Sequence, residues 1–168
     1  MPERREYDRE KAVDYARLWA YRRNPRYYDF SGIGGDCTNF ASQCIYAGAG
    51  VMNYTPTFGW YYNSVNDRAP AWTSVKYLYQ FLTANKGAGP YASVVPVSGA
   101  RPGDLAQLRF VGSGEFNHSP VIVGIEGEAA VQNILIAAHS NDVCCRPLSD
   151  YAAVAEIRFL HIEGVRAG

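Results

Sequence analysis

The spacing of apolar residues divides the chain into a helix-patterned first half and a strand-patterned second half. Ala12, Tyr15, Ala16 and Trp19 recur at helical intervals, Asp8 stands where an N-cap belongs and Asn24-Pro25 stops the run, which predicts a first helix over 8–22. After Cys37 the apolar residues Phe40, Ala41, Cys44 and Ile45 again mark one helical face, with Gly48 as the expected C-cap. A third helix is predicted from a Thr73 cap, with Tyr77, Leu78, Phe81 and Leu82 as its stripe, ending before Gly87. Residues 26–36 read as a Tyr- and Gly-rich connection, and 51–71, aromatic but aperiodic, as a long loop. Beyond Pro90 short β-rich runs bounded by turn residues predict strands over 92–97, 105–111, 120–125, 134–139 and 154–161. With Glu126-Gly127 as a turn, that succession predicts an antiparallel meander. The expected class is α+β, helices first and sheet after, not a doubly wound fold.

Composition narrows this further. The 168 residues are 48% hydrophobic and 19% charged, enough to bury a sizeable core, and no repeat or composition break divides them, so one domain over 1–168 is expected. Sixteen basic and sixteen acidic residues cancel, leaving no long-range field to recruit nucleic acid or an anionic membrane. No run approaches the roughly 20 apolar residues of a membrane span, and the charged opening MPERREYDRE lacks the core of a signal peptide. That leaves the compartment open between a cytoplasmic chain and an excised domain of a secreted cell-wall protein. Four cysteines, unevenly placed, are too few for a disulfide scaffold; Cys44 is expected in the core, and Cys144-Cys145 precedes Arg146-Pro147 in an expected turn, where packing is expected ahead of redox activity or metal binding.

The candidate chemistry starts at Gly34-Gly35-Asp36-Cys37, where a glycine pair breaks the chain and the second helix begins on the sulfur. Free N–H groups and the macrodipole at a helix start favour a thiolate, lowering a cysteine pKa from about 8.5 toward roughly 3.5–7.5. A thiolate that attacks an acyl group needs an imidazole to manage the proton and a polar group to orient that imidazole. His118 heads the strand over 120–125 and His139 ends the next, so a hairpin would bring the two to one end, within reach of a hydrogen bond. His161, among apolar residues of the last strand, is expected to be structural or exposed. Asp36 is expected to cap the helix or to contact a substrate ammonium group, and Asn39 and Gln43 to tie neighbouring loops. Trp60, Tyr61, Tyr62 and Trp72 suit either a ligand groove or the core.

The segment GGDCTNFASQCIYAGAG closely resembles the signature of the putative amidase domain family, itself similar to the NlpC-type cell-wall cysteine peptidases of papain-like fold. The likeness extends through Tyr7-Asp8-Arg9, Trp60-Tyr61-Tyr62, Trp72, Arg101-Pro102-Gly103-Asp104-Leu105 and Asn117-His118-Ser119, while 51–90 is long for an NlpC-type domain. The resemblance implies Cys37 as nucleophile, His118 as base, no cofactor, and a peptide or muropeptide substrate cleaved through an acyl-enzyme. For the third member it implies a polar residue at the end of the next strand, which falls on His139, with Asn141 and Asp142 as alternatives. By analogy with an upstream tyrosine of NlpC-type sites, Tyr28 is a candidate oxyanion donor beside the Cys37 N–H. An acyl transferase or transamidase through the same thioester is the nearest rival, followed by a binding module without turnover. A zinc site drawing on Cys37, His118, His139, Cys144 and Cys145 is disfavoured by their spacing.

Overall fold

A computed structural model of the chain describes residues 3–168. Helix α1 (Arg9–Trp19) begins where Asp8 accepts the Lys11 N–H, and it buries Ala12 and Ala16, two small residues that let the next helix approach closely. That helix, α2 (Cys37–Ala49), contains no charged residue and is buried from Thr38 to Ile45, as a central helix packed on several sides must be. Its polar side chains are all engaged: Trp72 Nε1 donates to Asn39 Oδ1 (3.0 Å), Trp60 Nε1 to Ser42 Oγ (3.1 Å) and the Tyr15 hydroxyl to Gln43 Oε1 (2.5 Å). Trp60 and Trp72 thereby belong to the core, not to a groove, and both are fully buried. Cys44 is in the core as well.

Several local expectations are corrected by the structure, the Thr73 cap and the buried place of Tyr77 among them. Gly48 lies inside α2; the C-cap is Gly50, left-handed at φ 69°, whose N–H reaches Tyr46 O. The expected loop over 51–71 contains a two-stranded ribbon, β2 (Tyr62–Ser64) with β3 (Asp67–Arg68), and leads into a single turn α3 (Pro70–Thr73). The cap of α4 (Val75–Ala84) is Ser74, whose hydroxyl accepts the Tyr77 N–H. Leu78, Phe81 and Leu82 are buried as the stripe requires, and Tyr77 is exposed.

The rest of the chain forms a seven-stranded sheet whose pairs are antiparallel. Strands β5 (Leu105–Phe110), β6 (Val121–Ile125), β7 (Ile134–Ala138) and β8 (Val143–Pro147) follow one another as a meander. The last strand, β9 (Val154–Arg166), departs from it. Its 13 residues are long enough to pair with β5 through its first half, with β4 (Gly89–Val95) through its second and with β1 (Arg4–Arg5) at its end. Alternation then sorts the side chains: Leu105, Val121, Leu160 and Ile162 join the core under the helices, and Ala106, Leu108, Ile122 and Phe159 form a second cluster with Ile134, Ile136 and Leu148. Buried Asp104 ties α1 to the sheet, accepting from Arg9 (2.8 Å), His161 Nδ1 (2.8 Å) and the Ile162 N–H (2.9 Å), so His161 is structural. Among the described residues no helix is long and apolar enough to cross a membrane.

Candidate active site

Cys37 is placed by the turn before it. Gly34 and Gly35 take φ of 79° and 99°, conformations that an L side chain rarely adopts, and they swing the chain from the 26–33 loop into α2. Asp36 anchors the junction from within the core: Oδ1 accepts the Phe30 N–H and the Asn39 amide (both 2.9 Å), and Oδ2 meets His139 Nδ1 (2.5 Å). Its side chain does not cap α2, contrary to expectation, because it is committed to those partners. The Thr38 N–H faces the Cys37 sulfur instead.

The sheet brings the imidazole. His118 extends β6 backwards past Pro120, held by the Leu108 N–H donating to His118 O (3.0 Å) and by the pairing of Leu108 with His118. The backbone N–H of the next residue, Ser119, is near enough to the Cys37 sulfur to favour its thiolate, so the loop carrying His118 comes close to the start of α2. Ser119 is in turn fixed by Gln107 Nε2 (3.1 Å to Oγ), and Gln107 Oε1 accepts two bonds from Arg158 (2.8 and 2.6 Å). The partner of the imidazole is Tyr151: its hydroxyl lies 3.0 Å from His118 Nε2, with the rings edge to face at 5.3 Å.

The other expected members are elsewhere. His139 is buried with both nitrogens occupied, Nδ1 by Asp36 and Nε2 by the Trp19 carbonyl (2.9 Å), and its ring stacks on Phe40 at 4.0 Å. No nitrogen is left for His118, which corrects the expected bond between the two histidines: sharing one end of a hairpin did not make them partners. Asp142 forms a two-pronged pair with Arg23 (2.9 and 3.0 Å), and Asn141 sits in a left-handed turn at φ 61°. Tyr28 is exposed; its backbone N–H donates to the Tyr62 hydroxyl and its carbonyl accepts from Asn39. A zinc reading finds no support in placement, since among the described residues no three His, Cys, Asp or Glu side chains converge as ligands. Two surface clefts of about 400 and 560 Å³ are lined by other residues, among them Phe58, Tyr77 and Phe81 in the first and Arg9, Arg101 and His161 in the second.

Residues 6–162 match the family described as Putative amidase domain. The chain belongs to that family. It is also similar to "Uncharacterized protein YhbB" of Bacillus subtilis (strain 168), 34% identical over 120 residues that cover 70% of this chain and 37% of that protein. The chain thus matches little more than a third of that relative's length. No solved structure matches it.

In this amidase-family chain the charge state of the site follows from burial. Desolvation pushes the Cys37 thiol up from its ordinary range, outweighing the Thr38 hydroxyl and the Ser119 and Thr38 N–H groups that favour the thiolate. The same cause brings His118 down to about 4. Tyr151 is raised to about 12 by burial first and by the Cys37 sulfur second, which places that sulfur within electrostatic reach of the phenol. The expectation of a thiolate at the helix start is therefore corrected: removing the ion from water costs more here than the helix terminus returns. At neutral pH the site holds a neutral thiol and a neutral imidazole.

Proposed function

We propose that the chain is a cysteine-dependent amidase or peptidase, acting by way of an acyl-enzyme on an amide in a peptide of the peptidoglycan type. The observation that carries this reading is the nearness of the Cys37 sulfur to the backbone N–H of Ser119, the residue following His118, with the Nε2 of that histidine 3.0 Å from the Tyr151 hydroxyl. In this reading Nε2–H donates to the Tyr151 oxygen, which leaves the Nδ1 lone pair to accept a proton. His118 takes the thiol proton as Cys37 attacks the carbonyl, then delivers it to the departing amine, and water releases the acyl group. The N–H groups of the first turn of α2, which Asp36 does not cap, supply the oxyanion donors, with Tyr28 on the flanking loop as a further one. Asp36, turned into the core, acts on the placement of Cys37 and not on a substrate amine. The peptidoglycan substrate and a papain-like ancestry rest on the motif resemblance of Gly34 to Gly50 and Asn117 to Ser119.

The test is a mass-spectrometric product assay on muropeptides and on a panel of peptide amides. Hydrolysis is expected to fall by about 10²–10⁴-fold in His118→Ala and to vanish in Cys37→Ala, with an acyl adduct trapped on Cys37 in the slow variant. Turnover that survives Cys37→Ala overturns the proposal, and ligand binding without turnover or adduct would indicate a binding module.

A further inference from the structure

Cys144 and Cys145 are not in a turn. They form the middle of β8, where the pairing with β7 slips: Ile136 faces Arg146 and Ala138 faces Val143, so two cysteines oppose the single residue Ala137 in a β-bulge. In a regular strand, successive side chains point to opposite faces and adjacent sulfurs stay apart. Here Cys145 has φ 61°, a conformation costly for an L residue, and this turns its side chain to the same side as that of Cys144. The two sulfurs, both free, are immediate neighbours, with Cys145 exposed and Cys144 partly so.

The strand that carries this pair also carries both supports of the site. Just before it, Asp142 holds Arg23, whose guanidinium also lies 3.7 Å from Asp36 Oδ2. After it, Pro147 leads into the short turn Leu148–Asp150 and then to Tyr151, the partner of His118. We propose that Cys144 and Cys145 are a reversible vicinal dithiol/disulfide site, oxidised by low-molecular-weight disulfides, and that closing it shifts β8 and with it the supports of Cys37 and His118. The chemistry balances in two exchanges. Cys145, the exposed thiol, attacks the small disulfide as thiolate and releases one thiolate; Cys144 then attacks the Cys145 sulfur, closes the protein disulfide and releases the second. The two thiol protons pass to the two leaving thiolates. Burial and the neighbouring sulfur push Cys144 up to about 12 in the reduced pair, and the second of these causes disappears once Cys145 is in a mixed disulfide. Adjacent Cα atoms are about 3.8 Å apart, closer than the roughly 4.4–6.8 Å that a disulfide usually spans, so the closed ring belongs to the easily reduced class.

The disulfide is tested with the Cys37→Ala chain incubated with oxidised glutathione. The expected result is a mass loss of two hydrogens, mapped to Cys144-Cys145 and reversed by dithiothreitol. A persistent glutathione adduct, a dimer linked through Cys145 or an unchanged mass overturns it. The coupling is read in the chain that keeps Cys37, as the rate of its alkylation by iodoacetamide, which does not depend on the amidase reading. That rate is expected to be several-fold slower in the oxidised form and indifferent to oxidised glutathione in Cys145→Ser. Equal rates in the two forms, or the same slowing in Cys145→Ser, overturn the coupling.

Discussion

Tyr151 reaches His118 from 33 residues away, and two substitutions separate its role from that of His139. Tyr151→Phe keeps the ring against Phe110 and His118 but removes the hydroxyl that lies 3.0 Å from Nε2. One such bond is worth about 1 kcal/mol net, so on the proposed mechanism kcat is expected to fall roughly fivefold to tenfold with KM unchanged, and stability to fall by only about 1 kcal/mol. His139→Ala leaves the buried Asp36 carboxylate short of a donor and opens a hole beside Phe40. It is expected to cost about 3 kcal/mol in urea denaturation at pH 7, a loss that Tyr151→Phe does not share. The positions of Cys37 and His118 were legible because each sits in a local signal, a glycine-broken helix start and a strand head. Tyr151 offered none: it follows a strand that no alternation announced. His139 was misassigned because strand spacing tells which end of a sheet a residue occupies and not which acceptors wait there, here Asp36 and the Trp19 carbonyl.

Among the elements, α1, α2, α4 and five of the strands were visible in periodicity, within a few residues of their ends. What escaped lacks a period. β8 is interrupted by its cysteine bulge, β2 and β3 are two or three residues long, and the place of β9 beside β5 depends on pairing across the whole sheet. Gly48 shows how a misread glycine changes a prediction. As a C-cap it would need a left-handed backbone; inside α2 it is needed for space, since a Cβ would lie 2.6 Å from both the Asp8 carbonyl and the Tyr7 ring. Alanine favours helices by about 1 kcal/mol over glycine on propensity, yet Gly48→Ala must push α2 away from the segment that starts α1. A net loss of about 1–3 kcal/mol is expected in thermal unfolding. Gly50→Ala tests the other half, with a loss of about 1–2 kcal/mol from its left-handed cap and no clash.

For the whole molecule, joining a helix half to a sheet half buries an imidazole at the seam, and that burial sets the response to pH. His118 is held at about 4 in the folded chain, against about 6.5 when unfolded. Between those values the unfolded state binds more protons than the folded one, so stability rises with pH across the window. It is complete above about pH 6.5 and is lost as pH falls toward 4, by roughly 3 kcal/mol from this group alone. The difference in unfolding free energy between the native chain and His118→Gln, followed by urea titration from pH 7 to pH 4, should therefore shrink by that order as acid is added. If His118 is the base proposed above, activity carries the same signature: the acid limb of kcat/KM is expected near pH 4, where that imidazole is protonated, and not near 6.5. On the alkaline side, alkylation of Cys37 by iodoacetamide in the absence of substrate should stay slow at pH 7 and climb only above the ordinary thiol range of about 8.5, because burial has raised that thiol. Rapid labelling at pH 6, lost in His118→Ala, would instead mean a preformed thiolate and imidazolium, and the neutral-pair mechanism would fall with it.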